Sequence, residues 1–289
     1  MAVGTHALTS LANLKSVVGI GDTGQDGLLE NCVDRATAAI ESHTDRKLKS
    51  RLHSEFQMPQ GERVVKTDEY PIVSIDTVAY GRQDTFTVTS DTASSDVLAT
   101  VGFDGSDLRL RKTTSGGTST TATVSATTYP TTSQMVSQIN SSVSGWSATL
   151  VENALSSSLY QFGGRGVKDA PCHVRYPRDN VSEYEVDFSQ GIVHITTDRF
   201  PGIRSDDARA NAFPSGFFPV FVQYTAGYET VPDDLEQACL EIARDIFNDV
   251  KMDTNLASEA LGDYNFSRIS VADKVERYAS LLTAYRKIR

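Results

Sequence analysis

Three glycines near the N-terminus have the spacing of a motif that holds phosphate groups. Gly19, Gly21 and Gly24 fit the pattern G-x-G-x-x-G, and a helix is predicted directly after them. A dinucleotide site requires a buried strand before the glycines and a second strand about 20 residues later that ends in an acid. Here Leu11 to Val18 has helical spacing, and Ala36 to Lys49 continues a helix. We therefore interpret the glycines as a turn between two helices.

Acidic pairs and histidines are the other residues that could support catalysis or metal binding. The adjacent acidic pairs are Asp68 with Glu69, Asp206 with Asp207, and Asp233 with Asp234. Neighbouring strand residues point to opposite faces, and acids in the first turn of a helix stabilise its dipole, so solvated charges are expected. The histidines are His6, His43, His53, His173 and His194, and their spacing is not that of metal ligands. The sequence therefore predicts no enzyme, no cofactor and no catalytic or metal site.

Composition limits the classes of function further. The 289 residues are 39% hydrophobic, which suffices for one or two domains with a buried core. A net charge of -10 argues against a protein that grips nucleic acid through its phosphates. The start of the chain has no export signal, and no apolar run reaches membrane-spanning length, so a cytoplasmic protein without membrane contact is expected. Cys32, Cys172 and Cys239 are predicted to be reduced core residues.

Apolar residues at helical spacing predict four helices in the two ends of the chain. The first runs from Leu11 to Val18 with Thr9 as its cap, and the second from about Asp26 to His43. The third begins at Pro232, extends to Lys251 and has the clearest apolar stripe. The fourth begins near Val271. Its apolar residues advance by alternating steps of four and three: Val271, Val275, Tyr278, Leu282 and Tyr285.

Alternating apolar residues predict strands between these helices. Val64 to Tyr80 has strand chemistry with a proline at an edge, and Tyr184 to Ile195 is typical of a hairpin. A further strand runs from Val220 to Tyr224. Aromatic residues cluster before and within it, at Phe213, Phe217, Phe218 and Phe221. This cluster fits either a buried corner or a patch that contacts a neighbouring subunit.

The middle of the chain has a composition of its own. Residues 113–151 contain no Asp, Glu, Lys or Arg and are rich in Thr and Ser, which is also typical of a flexible linker. Alternating strand patterns and a helical spacing at Met135, Val136 and Ile139 favour a folded β-rich domain with one helix. We assign this domain to residues 82–183, where 8 basic residues nearly balance 9 acidic ones. The flanking segments, 1–81 and 184–289, hold 19 basic and 28 acidic residues.

The order of elements and short motifs resembles the head-tail connector family of long-tailed bacteriophages, also called adaptor or head-completion proteins. The motifs are YTAGY at Tyr224 to Tyr228, VPxDLxxA at Val231 to Ala238, and GDYxxS at Gly262 to Ser267. The opening, Leu11 to Ile20 and Leu28 to Arg46, also resembles the start of that family. The resemblance covers residues 9–80 and 184–289, and it leaves the middle of the chain as a large insertion.

The resemblance implies an α+β fold, with a helical bundle core and a small antiparallel sheet at 1–81 and 184–289 and an inserted β-rich domain at 82–183. It implies a structural virion protein of the neck, assembled in the host cytoplasm into a dodecameric ring. The expected partners are other copies of the chain, the portal protein, and a tail-side neck protein such as a stopper or tail terminator. DNA would pass through the ring without specific binding, which an acidic surface allows.

The last predicted helix is the candidate interface with the portal or the adjacent subunit. Its apolar residues form a seam that suits a groove between other helices, and a short helix needs a partner surface to stay folded. Its basic end, Arg286, Lys287 and Arg289, is complementary to an acidic partner. Packing of the seam on the chain's own Leu235 to Val250 helix remains an equal alternative.

A second function is compatible with the same sequence. The Ser/Thr-rich β-domain is also typical of a binding or adhesion module in a phage structural protein. Trp146 would be its stacking residue for a carbohydrate or receptor.

Overall fold

The computed structural model describes residues 3–58, 64–91, 96–181, 183–195, 220–251, 258–261, 264–267 and 270–287. The helices in these ranges are α1 (Leu11–Val18), α2 (Asp26–Thr44), α3 (Thr132–Ser142), α4 (Asp233–Lys251), α5 (Val271–Glu276) and α6 (Ala279–Leu282), with short 3-10 turns at Ser156–Ser158 and Thr283–Tyr285. The first strands are β1 (Arg51–Gln57), β2 (Val64–Lys66), β3 (Ile72–Tyr80), β4 (Gln83–Ser90), β5 (Asp96–Phe103), β6 (Asp107–Thr114), β7 (Ser119–Ser125) and β8 (Trp146–Leu150). The later strands are β9 (Phe162–Gly166), β10 (Cys172–Tyr176), β11 (Asp179–Asn180), β12 (Tyr184–Asp187), β13 (Ile192–Ile195), β14 (Val220–Ala226), β15 (Ser258–Leu261) and β16 (Tyr264–Ser267). The predicted α+β class is confirmed.

A helical core joins the two ends of the chain. The predicted stripe of α2 is fully buried, and it packs against the buried stripe of α4, which includes Ile242 and Phe247. Residues of α1, α5 and α6 complete the same apolar cluster. Ser10 rather than Thr9 caps α1, because the helix begins at Leu11 and the Ser10 side chain accepts a hydrogen bond from the Asn13 amide at 3.2 Å.

Two small antiparallel sheets lie between the helical segments in the sequence. The first has the strand order β1-β14-β3-β11, so β14, from the second half of the chain, lies between two strands of the first half. The second has the order β12-β13-β2 and contains the predicted hairpin. Both sheets contribute to one apolar cluster, in which Tyr224 and Val193 are fully buried.

The middle of the chain forms a separate apolar cluster. Sheets β10-β4-β8 and β7-β6-β5-β9 both contribute to it, together with α3. Met135, Val136 and Ile139 of α3 are buried, as their helical spacing predicts. The charge-free segment is therefore folded, and the linker interpretation is wrong.

The chain leaves and re-enters the first sheet at neighbouring positions. Tyr80, the last residue of β3, is paired with Asp179 of β11, and Ala79 is paired with Asn180. The strands β4 to β10 therefore lie between two residues that are direct neighbours in an antiparallel pair. Of the predicted segment 82–183, residues Asp179–Asn180 belong to the first sheet.

The structure can also be compared with the predictions for the cysteines, the C-terminal loop, the aromatic cluster and membrane-spanning segments. Cys32, Cys172 and Cys239 are free and buried, as predicted. Strands β15 and β16 pair on either side of residues 262–263, where only a loop was expected. Of the aromatic cluster, Phe221 is buried, and Phe213, Phe217 and Phe218 lie outside the described residues. No helix in the described ranges is long and apolar enough to cross a membrane.

Candidate functional site

The C-terminal segment, residues 270–287, contains the predicted interface residues. Val275, Leu282 and Tyr285 are buried in the helical core, and Val271 and Tyr278 pack partly buried against it. The apolar seam therefore lies on the chain's own α2 and α4. It is not one helix, because α5 ends at Glu276 and α6 begins at Ala279.

Four side chains, Lys274, Arg277, Tyr278 and Tyr285, tie this segment to the acidic face of α4, and Arg277 Nη1 lies 3.6 Å from Asp245 Oδ2. Lys274 is 3% exposed, and its Nζ donates to Asp249 Oδ2 at 2.5 Å and to the Asp245 carbonyl at 2.8 Å. The Tyr278 hydroxyl donates to Glu241 Oε2, and the Tyr285 hydroxyl donates to Asp234 Oδ1 at 2.6 Å. These acids follow one another along α4 at steps that keep them on one side of the helix.

The pKa values of the two tyrosines follow from these contacts. Burial and the Glu241 carboxylate raise the pKa of Tyr278 to about 12. Burial and the Asp234 carboxylate likewise raise the pKa of Tyr285. The hydrogen bond from Tyr278 lowers the pKa of Glu241. Both tyrosines therefore remain protonated donors at neutral pH, and the contacts persist.

The end of the segment lies against the loop that precedes β3. Arg46 is 3% exposed, donates to the carbonyls of Tyr285 and Tyr70, and places its guanidinium 3.7 Å from the centre of the Tyr70 ring. Lys287 donates from its amide to the Thr44 carbonyl at 2.9 Å and from Nζ to Asp68 at 3.0 Å. The Arg286 side chain is exposed, and Arg289 lies outside the described residues. Of the two described residues of the predicted basic end, Arg286 is thus more open to a partner than Lys287.

The YTAGY motif has a structural explanation in this chain. Tyr224 is fully buried, and its hydroxyl donates to Glu55 Oε2 at 3.1 Å and accepts from the Glu69 amide at 3.0 Å. Gly227 has a φ of 107°, and a Cβ there would lie 2.8 Å from the Leu48 carbonyl oxygen. Only glycine fits this position without displacing the backbone that follows α2. The motif thus holds β14 in place between β1 and β3.

The carboxyl group of Glu55 sits in this buried network. Burial raises its pKa to about 7, against the opposing effect of the hydrogen bond from the Asp68 amide at 2.9 Å. Nearby, the His53 ring stacks on Tyr224 with centroids 5.4 Å apart, and burial lowers the pKa of His53. The arrangement supports the sheet, and a titratable carboxyl inside it makes stability sensitive to pH.

A cleft of about 1290 Å³ lies between β1 and the strands of the insertion. Its lining includes five arginines: Arg82, Arg109, Arg111, Arg165 and Arg175. Phe56 and Tyr160 also line it, with ring centroids 5.1 Å apart. Sequence analysis did not identify this cleft, although Leu108 to Arg111 alternates leucine with arginine, which is typical of a strand with one cationic face.

The other candidate residues do not assemble into a reactive site. Gly19, with a φ of 76°, ends α1, so the glycines form a turn between two helices, as predicted. Asp68 pairs with Lys287, Glu69 accepts from the Lys47 amide at 3.0 Å, and Asp206 with Asp207 lies outside the described residues. Within the described ranges, His, Cys, Asp and Glu side chains form no cluster that could hold a metal ion.

Trp146 does not offer a stacking surface. Its side chain is 7% exposed and belongs to the core of the insertion, with the Lys112 ammonium 5.5 Å from the ring centroid. The expectation that it stacks on a carbohydrate or receptor is therefore wrong, because a buried ring cannot be reached by such a ligand.

Comparison with known proteins gives one family match. Residues 8–105, about a third of the chain, match the family described as "Phage gp6-like head-tail connector protein", which confirms the family recognised from the sequence. The match includes α1, α2 and β1 to β5, so it extends into the predicted insertion, and the C-terminal motifs lie outside it. A chain of the solved structure "Neck of empty GTA particle computed with C6 symmetry" is 14% identical, with a TM-score of 0.39 over 100% of this chain and 94% of that chain. No curated protein matches.

Proposed function

We propose that this chain is a structural protein of the neck of a tailed, phage-like particle and has no enzymatic activity. The observation that carries the proposal is the match of residues 8–105 to the head-tail connector family. The structure is compatible with this proposal. Among the described residues, the acidic pairs, the glycine motif and the cysteines have structural roles. Connection of a head to a tail requires stable surfaces rather than a reacting group.

More specifically, we propose that copies of the chain form a dodecameric ring. The ring joins the portal to a tail-side neck protein, a stopper or a tail terminator. DNA passes along the axis of this ring. A net charge of -10 fits this task, because a negatively charged channel wall repels DNA and does not retard it. A ring also gives a small chain a large combined contact area with the portal.

The C-terminal segment remains the proposed contact with the portal or the neighbouring subunit. Because Val275, Leu282 and Tyr285 are buried within the chain, the contact surface consists of the exposed side chains beside them, above all Arg277 and Arg286. Basic side chains there can pair with acids of the partner and steer its approach. In this arrangement the apolar seam positions the basic residues and does not itself dock.

Residues 82–183 are proposed to form a peripheral domain on this ring subunit. They have an apolar cluster of their own, and the chain enters and leaves them at paired residues of β3 and β11. An insertion at such a point leaves the pairing of the first sheet intact.

The test is production of particles without this protein. We expect DNA-filled heads and free tails that do not join, and recovery of complete particles when the wild-type chain is supplied. An Arg286→Glu chain should restore joining less well than the matched surface variant Arg35→Glu, since both are exposed and change charge equally. Complete, infectious particles in the absence of the chain would refute the proposal.

A further inference from the structure

Three cationic side chains of sheet β7-β6-β5-β9 line the cleft, two of them from the outer face of the sheet. Leu108 and Leu110 of β6 are buried in the insertion's core, so Arg109 and Arg111 point to the opposite, exposed side, because strand side chains alternate. Arg165 of β9 reaches the same cleft from the edge of the sheet, because it is paired with the buried Val101 and so lies on the opposite face from Arg109 and Arg111. We call Arg109, Arg111 and Arg165 the arginine stripe.

Two members of the arginine stripe lack an acidic partner. Arg109 pairs with Asp104 at 2.6 Å. Arg111 donates to the Ser119 hydroxyl at 3.2 Å, and Arg165 donates to the His173 carbonyl at 3.1 Å and places its guanidinium 4.4 Å from the centre of the Phe162 ring. In the described part of the chain, no carboxylate oxygen lies within 4.0 Å of either of these two guanidinium groups. Their charge is therefore available to an external anion.

The surface around the arginine stripe is open. Gly102 and Thr100 of β5 lie opposite Arg109 and Arg111, and Thr121 of β7 lies opposite Arg111 on the other side. These residues are small, so an extended segment can approach the guanidinium groups without a steric barrier.

A second strand of the chain has the complementary pattern. Glu183, Glu185 and Asp187 are exposed, while Tyr184 and Val186 between them pack against the core of the sheets. Glu185 and Asp187 lie in β12, an edge strand of the sheet β12-β13-β2, and Glu183 directly precedes it. We call Glu183, Glu185 and Asp187 the carboxylate stripe.

The acids of this stripe are also accessible. Asp187 accepts hydrogen bonds within its own turn, from Ser189 and the Gln190 amide. Glu183 and Glu185 have no Lys, Arg or His nitrogen within 4.0 Å among the described residues. His194 lies on the central strand β13 and Lys66 on the opposite edge strand β2, so the β12 edge itself is anionic.

We propose that the arginine stripe of one copy of the chain binds the carboxylate stripe of the adjacent copy. Alternate side chains of a strand are about 7 Å apart, so Arg109 and Arg111 match the spacing of neighbouring acids in the carboxylate stripe. The two stripes are different patches of one chain, and such a contact is head-to-tail, which closes into a ring when the rotation permits. The inference deepens the proposed function and rests on its ring assembly.

The same arginines could attract the phosphates of nucleic acid, but the charge distribution favours a second copy. The segments outside 82–183 hold 28 acidic and 19 basic residues, so they repel a polyanion and attract the cationic face of a neighbour. Guanidinium groups also form bidentate hydrogen bonds with carboxylates, which fix the relative orientation of the two groups. The contact therefore supplies both attraction and register between subunits.

Charge reversal on each stripe tests the contact by native mass spectrometry and sedimentation at low salt. Arg111→Glu/Arg165→Glu makes both stripes anionic, and Glu183→Lys/Glu185→Lys makes both cationic. Each variant alone should assemble only at a concentration at least about tenfold higher than the wild type. A 1:1 mixture should recover ring assembly, because each variant then meets the opposite charge on its neighbour. Lys168→Glu/Arg178→Glu, on exposed residues outside the cleft, is the matched control and should assemble normally.

The outcomes separate the inference from the proposed function. If the wild-type chain forms rings and the reversed variants form them equally well, or the mixture stays unassembled, the stripe contact is refuted while the neck function stands. If the wild-type chain forms no ring, with or without portal, both the ring and the stripe contact fail. Loss of DNA binding, without any change in assembly, would assign the arginine stripe to nucleic acid and also refute the inference. Circular dichroism and melting temperature confirm that each variant is folded.

Discussion

The ion pair between Lys274 and Asp249 allows a sharp test of how the C-terminal segment is held. Replacing Asp249 by Ala removes the carboxylate that lies 2.5 Å from the buried Lys274 ammonium. Replacing Lys274 by Met removes the buried charge instead and keeps a side chain of similar length. The two variants delete the same contact from opposite sides.

The expected magnitudes differ because the two groups are buried to different extents. The side chain of Lys274 is 4% exposed, whereas that of Asp249 is 27% exposed. Loss of one partner from a buried pair costs about 3 to 5 kcal/mol when the other charge stays buried. The Asp245 carbonyl still accepts one hydrogen bond from Lys274, so we expect about 3 kcal/mol for Asp249→Ala. Lys274→Met leaves a carboxylate that water reaches, and we expect about 1 kcal/mol.

The assay is urea unfolding at neutral pH, combined with hydrogen exchange of residues 270–287. Asp249→Ala should lower the free energy of unfolding and raise amide exchange in α5. Asp91→Ala is a control for loss of an acid elsewhere, because Asp91 is exposed in the insertion and should leave exchange in α5 unchanged. A larger loss for Lys274→Met than for Asp249→Ala would refute the argument from burial. Equal exchange in all variants would show that the pair does not hold the segment.

Three further predictions concern the rest of the chain. Ile246→Ala should cost about 2 to 5 kcal/mol in chemical denaturation, since Ile246 is 2% exposed on the buried face of α4; a cost near zero would contradict that packing. The raised pKa of Glu55 means that the folded state binds a proton more tightly, so wild-type stability falls as pH rises from about 4.5 to about 7, and Glu55→Gln should remove about 3 kcal/mol of this dependence in pH-resolved melts. Replacement of residues 82–178 by a short Gly/Ser loop should leave a folded helical core by circular dichroism, because Tyr80 and Asp179 are paired neighbours and a short loop closes at little cost; aggregation would count against a separable insertion.

Sequence periodicity was sufficient to predict the helices and strands that bury a single face. The stripes of α2 and α4, the helix in the charge-free segment and the hairpin of β12 with β13 all follow from local spacing. In each case the alternation of apolar and polar residues determines the face, whatever the partner is. The boundaries then differ by a residue or two, as at Thr44 instead of His43.

Other features depend on contacts that local spacing cannot reveal. The position of β14 between β1 and β3 joins residues more than a hundred positions apart, and nothing in a strand pattern specifies its neighbour. A lysine is expected at the surface from its residue type. Lys274 is buried instead, and its ammonium pairs with the Asp249 carboxylate of the neighbouring helix α4. Part of the arginine stripe could be predicted from the sequence, since leucine and arginine alternate from Leu108 to Arg111. The cleft could not, because it forms between β1 and the insertion, which are distant in the sequence.

The burial of the C-terminal segment limits how the proposed portal contact can form. Releasing Leu282 and Tyr285 from the core would expose two large apolar side chains, at about 1.5 to 3 kcal/mol each, and would also break the Lys274 pair. A partner would have to offset several kcal/mol before it gained any net affinity, which corresponds to a loss of about a thousandfold or more in binding. A partner that uses Arg277 and Arg286 from outside meets no such cost, because both side chains are already exposed and it competes only with the ion pair of Arg277 with Asp245 at 3.6 Å. We therefore expect the C-terminal segment to bind its partner while it stays packed on α4, and not as a helix released from the core.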